Sequence, residues 1–201
     1  MDSKQLAGKI KPLLRSFYER NTQVVAFELI GKLLMFHQNG ITLSGKIVET
    51  EAYFGAQDPA SHAYRGVTMR NQVMFGPPGF SYVYFTYGNH HCLNIVTEKE
   101  KIPGAVLIRA VEPVSSIAMM KKRRGLSEIK SLTNGPGKLT QAFGITREHC
   151  GMDLTRNSFC ITEGEDESPL HIEATTRIGI SCAKDKPYRF YLAESPFVSV
   201  R

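Results

Sequence analysis

The sequence predicts an α+β fold built on a curved, mostly antiparallel sheet, and three observations carry that expectation. Apolar residues fall at helical spacing near the start of the chain, over 3–17 and 22–35. From residue 40 onward the texture changes to short stretches rich in β-branched and aromatic residues, punctuated by Gly and Pro clusters such as "GPPG" and "KIPG". No regular alternation of strand and helix patterns follows, which disfavours a parallel, doubly wound sheet. Taken in order, 3–17 and 22–35 are predicted helices, the second capped by Asn21 or Thr22 ahead of "QVVAFELIGKLLMF". Segments 40–53, 80–87, 91–97 and 105–112 are predicted strands. Residues 113–145 read as helical again, through "SSIAMMKKRRG" and then "GKLTQAFGI" after Gly135-Pro136, and 158–162, 170–180 and 187–193 read as further strands. The chain contains no internal repeat and no low-complexity tract.

At 201 residues with 42% hydrophobic and 22% charged content, the chain can bury one sizeable core, so a single compact domain spanning 1–201 is expected. The segment "MDSKQLAGKIKPLLRSFYER" carries charges throughout and lacks an apolar run followed by a small-residue cleavage site. It therefore reads as neither signal peptide nor membrane anchor, and a soluble, cytoplasmic, monomeric protein is expected. Cys92, Cys150, Cys160 and Cys182 are scattered with no C-x-x-C pair, which argues against zinc and against a disulfide framework. They are expected to be reduced and buried or inert. A formal charge of +6 favours a polyanionic partner without deciding it, because many enzymes are equally basic.

The first stretch with chemical content is "GKIVETEAY". A two-residue strand period places Ile47, Glu49, Glu51 and Tyr53 on one face and Val48, Thr50 and Ala52 on the other. The small apolar face packs inward on this reading, and the two carboxylates either line a cleft or sit on a solvated face, the commoner fate of such residues. Asp58, His62, His90 and His91 raise the question of a metal. Neighbouring strand residues point to opposite faces, however, so His90 and His91 do not readily share an ion, and no H-x-x-x-H spacing occurs. In "FSYVYFTYGNHHCLNI", alternation puts Tyr82, Tyr84 and Thr86 on one face and Val83 and Phe85 in the core, with "YGNH" as a turn and 91–97 as the return strand. Tyr87 then falls at the hairpin tip with little protein to pack against. An exposed aromatic on a stiff hairpin suits stacking on a nucleobase, or filling the gap that an extruded base leaves in a duplex.

Read together, "ETEAY", "RNQVMF.PPG.SYVYFTYG", "CLNIV", "LIRAVEP", "NGPGKL", "RIGI" and "SPFVSV" resemble, in order and spacing, the alkyladenine (3-methyladenine, methylpurine) DNA glycosylase family, and the brevity of the chain suggests a bacterial member. The match runs from about residue 20 to the C-terminus. The resemblance implies a domain with a protruding hairpin that binds double-stranded DNA, flips a damaged purine into a pocket and hydrolyses its N-glycosidic bond. Under it Glu51 is the catalytic glutamate, activating a water held also by Arg109 and by the backbone carbonyl of Ile178. No metal and no cofactor is implied, and no lysine in these motifs fits a Schiff-base role. Tyr53 and Tyr84 sandwich the flipped base, His62 reads its edge, Asn94 excludes guanine by crowding its exocyclic amine, and Tyr87 intercalates. Arg70 and Met74 lie at the DNA interface, and Lys138 meets phosphate at a helix start, where a solvated helix end is the equal alternative. Glu49 is expected to matter much less than Glu51. His90 and His91 depart from the aromatics of mammalian members, and "KKRRG" at 121–125 reads as a phosphate contact or a solvated helix face. A DNA-binding module of the same fold without catalysis is the alternative function, disfavoured because a pure binder needs none of Glu51, Arg109 and Asn94.

Overall fold

A computed structural model of the chain describes residues 11–86, 88–156, 158–164 and 169–200. The described chain opens with two short helices, α1 (Arg15–Tyr18) and α2 (Thr22–Glu28), and passes into strands β1 (Leu33–Gln38) and β2 (Ile41–Tyr53). A hairpin of β3 (Ser81–Thr86) and β4 (His90–Thr97) leads to the long β5 (Gly104–Ser115). Helices α3 (Ile117–Arg124) and α4 (Pro136–Phe143) follow, then β6 (Thr155–Arg156), β7 (Phe159–Thr162), β8 (Ile172–Thr175) and β9 (Arg189–Leu192). All pairings among these strands are antiparallel. The sheet runs β3-β4-β5-β2-β1-β7-β6, with β9 added to β2 and β8 to β9. It curls into a half-barrel with the helices against it, the α+β architecture that the sequence predicts.

The helical pattern expected over 22–35 stops at Glu28. Asn21 caps α2 by accepting from the Gln23 and Val24 amides at 3.0 and 3.4 Å. Gly31, at φ 86°, then turns the chain through the left-handed region. The run "LLMF" beyond it becomes strand because β2 and β7 pair along its two edges while the consecutive residues Leu34, Met35 and Phe36 are all buried, so both faces are covered and a continuous apolar run is satisfied. In the first expected helix only Arg15–Tyr18 is helical among the described residues. The strand expected over 170–180 is confined to Ile172–Thr175, because Arg177 and Ile178 are drawn off to bond with Asp58, Ala52 and Glu51.

β2 is the spine of the molecule. β5 pairs along one of its edges, while β1 occupies the other edge over Ile41–Lys46 and β9 takes it over at Glu49–Glu51. Three register shifts interrupt the β2–β5 ladder, one at Ser44/Gly45 and two close together around Glu49. Val48 is unpaired between Ile47↔Val111 and Glu49↔Ala110, and Arg109 is unpaired between Glu49↔Ala110 and Thr50↔Ile108. The two shifts around Glu49 cancel, so the register is the same on either side of them. They correct the expected faces: Ile47 joins Ala52 in the main core, while Val48 packs with Ala110 and Phe197 in a separate cluster. A bulge re-aims side chains locally, and here it turns Arg109 toward the two glutamates.

Val83, Leu93, Ile95, Val106 and Ile108 point into the main core from β3, β4 and β5. Tyr82, Tyr84, Asn94 and Leu107, at alternate positions of the same strands, face the other way into a pocket. Phe85 departs from the expected core placement: it is 44% exposed, because β3 has by then run out past the packed sheet, and its ring rests on His91 at 5.0 Å.

Candidate active site

The pocket has a volume of about 410 Å³, within the range of roughly 300–1,000 Å³ common for small-molecule sites. The sheet forms one wall through Tyr53, Tyr82, Tyr84, Asn94 and Arg109, and the loops Pro59–His62 and Ile178–Ser181 form the other. Glu51 is fully buried behind the residues that line the pocket and is held by three of them. Its Oε1 accepts the Ile178 amide at 2.7 Å and lies 3.2 Å from Arg109 Nη1, and its Oε2 accepts the Tyr53 hydroxyl at 2.8 Å. Burial and then the Glu51 charge push the Tyr53 phenol far above its usual pKa, so it stays a protonated donor. Arg109 keeps its proton as well: burial works against the charge, but Glu51 and Glu49 outweigh it. Tyr53, Arg109 and Ile178 all line the pocket, so the groups that grip Glu51 are also the groups a bound molecule touches.

Ile178 contacts Glu51 through its backbone N–H, a bond that the sequence does not predict. The sequence reading also missed what holds this loop. Arg177 is buried and forms a bidentate pair with Asp58 at 2.6 and 2.8 Å, donates to the Ala52 carbonyl at 2.9 Å, and lies over the Tyr53 ring at 4.6 Å. One guanidinium thereby ties both pocket loops and a pocket tyrosine to β2. Burial pushes the Asp58 carboxyl up, yet the hydrogen bonds and charge of Arg177 bring it below the usual carboxylate range.

At the rim, His62 Nδ1 is 2.9 Å from the Tyr82 hydroxyl and its ring meets Tyr84 edge-on at 4.5 Å. Burial, and then the positive charge of Arg70, lower the His62 pKa to about 4, so the ring is neutral at pH 7. Burial pushes the Tyr84 phenol well up. Arg70 is exposed, with its guanidinium 5.1 Å above the Tyr84 ring. Asn94 donates its side-chain amide to the Tyr82 carbonyl at 3.1 Å, which fixes it against the wall. The structure gathers these residues at the pocket mouth, whereas Met74, placed by the resemblance at the DNA interface, is 2% exposed, packs with Ala63, Tyr82, Val96 and Ala105, and lines the pocket from within the core. Lys138 stands apart in the first turn of α4, exposed, with Nζ bonded to Asn134 at 2.9 Å. His90 packs against Gly137 and His91 against Phe85, and neither lines the pocket. Tyr87 lies outside the described residues; around it Thr86 pairs with His90 and Gly88 turns at φ 73° with open space beside it.

Cys92 and Cys160 are buried, Cys150 is half-buried and Cys182 exposed, all four as free thiols. Among the described residues no three His, Cys, Asp or Glu side chains converge where a metal ion could sit, and no helix is long and apolar enough to cross a membrane. What the arrangement offers chemically is a carboxylate fixed directly behind an aromatic pocket by three of the pocket's own lining residues, a group suited to proton transfer or to stabilising a developing cation.

Comparison with known proteins gives a consistent picture. Residues 16–196 match the family described as Methylpurine-DNA glycosylase (MPG). A protein of Carboxydothermus hydrogenoformans named "Putative 3-methyladenine DNA glycosylase" is 52% identical over 188 residues, covering 93% of this chain and 98% of its own. Proteins of the same name from Methanoculleus marisnigri and Chlorobaculum tepidum are 49% and 46% identical, over 92% and 94% of this chain and 97% and 91% of theirs.

Proposed function

Because the chain belongs to the methylpurine-DNA glycosylase family, hydrolases that act on N-glycosyl bonds in DNA repair, we propose that it flips damaged purines out of duplex DNA into the Glu51 pocket and releases them by hydrolysis, leaving an abasic site. The substrates are alkylated, deaminated and etheno purines: 3-methyladenine, 7-methylguanine, hypoxanthine and ethenoadenine. The observation that carries this reading is the placement of Glu51, a fully buried carboxylate whose three partners Tyr53, Arg109 and Ile178 line an aromatic pocket of about 410 Å³.

On this reading Glu51 takes a proton from a water as that water attacks C1′, and the bond electrons leave with the base. The sugar becomes cationic in the transition state, and a carboxylate already fixed beside it stabilises that charge without reorganising. An alkylated purine leaves readily because it is already cationic, whereas hypoxanthine also needs a proton. Arg109 and the carbonyl of Ile178 hold the water. Tyr53 and Tyr84 enclose the base, neutral His62 bonds its edge, and Asn94 clashes with the exocyclic amine of guanine. Tyr87 fills the gap in the stack, while Arg70 and Lys138 contact phosphate. The protein works as a cytoplasmic monomer, and a single-domain organisation is supported by one sheet that takes strands from residue 33 to residue 192.

The test is incubation with duplexes carrying each of the four lesions, followed by alkali. Strand breaks that appear only after alkali, and only in lesion duplexes, are expected. Binding to lesion DNA with no alkali-labile site in any duplex would leave a catalytically silent binding module in its place.

A further inference from the structure

We propose that Glu49 is a positioning residue that acts through Arg109, and that the C-terminal segment 195–200 belongs to the catalytic machinery through Ser199. Glu49 is fully buried and receives four donors from the described residues. Arg109 Nε and Arg189 Nε reach its Oε1 at 2.9 and 2.7 Å, the Ser199 hydroxyl reaches the same oxygen at 2.9 Å, and the Ser199 amide reaches Oε2 at 2.7 Å. The Arg109 guanidinium is consequently gripped at all three nitrogens: Nε by Glu49, Nη2 by the Ser199 hydroxyl at 3.2 Å, and Nη1 by Glu51 at 3.2 Å. Ser199 donates to Glu49 while accepting from Arg109, and this relay sets the plane of the guanidinium. The segment that brings Ser199 there is held by Phe197, packed with Val48 and Ala110, and by Arg189, which donates to the Val200 carbonyl.

The consequence is geometric. Arg109 sits on a bulge, where the ladder does not fix its direction. Held sideways by Glu49 and Ser199, it presents a single nitrogen to Glu51 and keeps its other two nitrogens off that carboxylate. Released, it would rotate into a two-nitrogen pairing with Glu51, the favoured geometry of arginine and carboxylate, and block the oxygens that the reaction needs. This account rests on the reading of Glu51 as the water-activating group.

The experiment is a double-mutant cycle read by single-turnover excision of hypoxanthine from duplex DNA, with melting temperature and affinity for a duplex holding a tetrahydrofuran abasic analogue measured beside it. Glu49→Gln should slow excision about 100-fold and Ser199→Ala about tenfold, the scale of a small misplacement in an active site. Affinity for the analogue should stay within about threefold in both, since the loss falls on the chemical step. In an Arg109→Ala background neither substitution should slow excision further, although each still lowers the melting temperature. Effects that multiply with Arg109→Ala would overturn the proposal and make both residues purely structural. If Glu49→Gln does not fold, the Ser199→Ala cycle decides alone, since it removes one hydroxyl from a half-buried position and keeps the amide bond. Glu51→Gln is the control for the premise: retained excision there sinks the reading of the site, whereas an inactive Glu51→Gln with multiplying Ser199 effects sinks only this inference.

Discussion

Replacing Glu51 by Gln changes the chemistry of the pocket while leaving its shape almost intact, and the hydrogen bonds show why. The amide oxygen can still accept the Ile178 N–H, and the amide nitrogen can face the Tyr53 hydroxyl, which turns from donor to acceptor. Arg109 keeps its bond to Glu49 and is not left unpaired. Folding and DNA affinity should therefore survive. Two contributions to the rate do not: a general base is worth about 10²–10⁴-fold, and a preorganised charge facing the transition state about 10²–10³-fold. One carboxylate supplies both, so the factors do not simply multiply, and a loss of at least about 1,000-fold, near 4 kcal/mol, is expected. The assay is single-turnover excision of hypoxanthine and ethenoadenine, with fluorescence anisotropy on the same duplexes. Excision within about tenfold of the parent protein would refute the assignment, because neither contribution alone is expected to be that small.

The remaining expectations concern the groups around that carboxylate. Asp58→Asn leaves the buried Arg177 without its partner and should cost about 3–5 kcal/mol in urea denaturation. A loss below about 1 kcal/mol would mean that the pair is not structural. Because the Asp58 carboxyl lies below its ordinary 3.8, its stabilisation is present above pH 3.8 and is lost as pH falls through the lower folded value. His62 should titrate near its lowered value of about 4 by NMR, upward in Arg70→Ala, leaving lesion affinity flat between roughly pH 5 and 8. A midpoint near 6.5 would contradict this. Asn94→Ser should admit undamaged guanine and raise its release, and unchanged guanine release with lesion activity kept would remove the proposed clash. Tyr87→Ser should slow excision from paired duplexes more than from mispaired ones, where flipping costs less; equal slowing in both would make Tyr87 a general contact.

The strands that carry the pocket were legible because alternation survives along them: β2, β3 and β4 begin and end within a residue of expectation, and Tyr82 and Tyr84 share the predicted face. β1 was not legible, since "LLMF" satisfies helical spacing and a doubly covered strand equally well. Nothing in the sequence announces the compensating bulges, which put Ile47 on the face opposite to the one that alternation predicts. The Asp58–Arg177 pair joins residues 119 positions apart, and no local pattern links them. The site residues themselves were read from likeness to a family rather than from periodicity. Periodicity alone leaves Glu51 and Glu49 indistinguishable, because both lie on β2 and face the same way.

What separates the two glutamates is how their charge is compensated. Glu49, Glu51 and Asp58 are buried, as are Arg109, Arg177 and Arg189, so three acids face three bases out of contact with water. Burying a charge is costly unless it is paired and hydrogen-bonded, and the pairing here is uneven. Asp58 holds both terminal nitrogens of Arg177, and Glu49 binds two arginines through Nε at 2.9 Å or less. Among the described residues, Glu51 receives only the third nitrogen of Arg109, at 3.2 Å, and otherwise two neutral donors, the Tyr53 hydroxyl and the Ile178 amide. Of the three carboxylates it is therefore the least neutralised by direct contact, and its donors are the pocket's own lining. A cationic sugar arriving over that lining would meet a negative charge that the protein has kept dry and in position without cancelling it. An electrostatic role for Glu51 needs that residual charge, and the surplus of guanidinium contacts on Glu49 leaves it there.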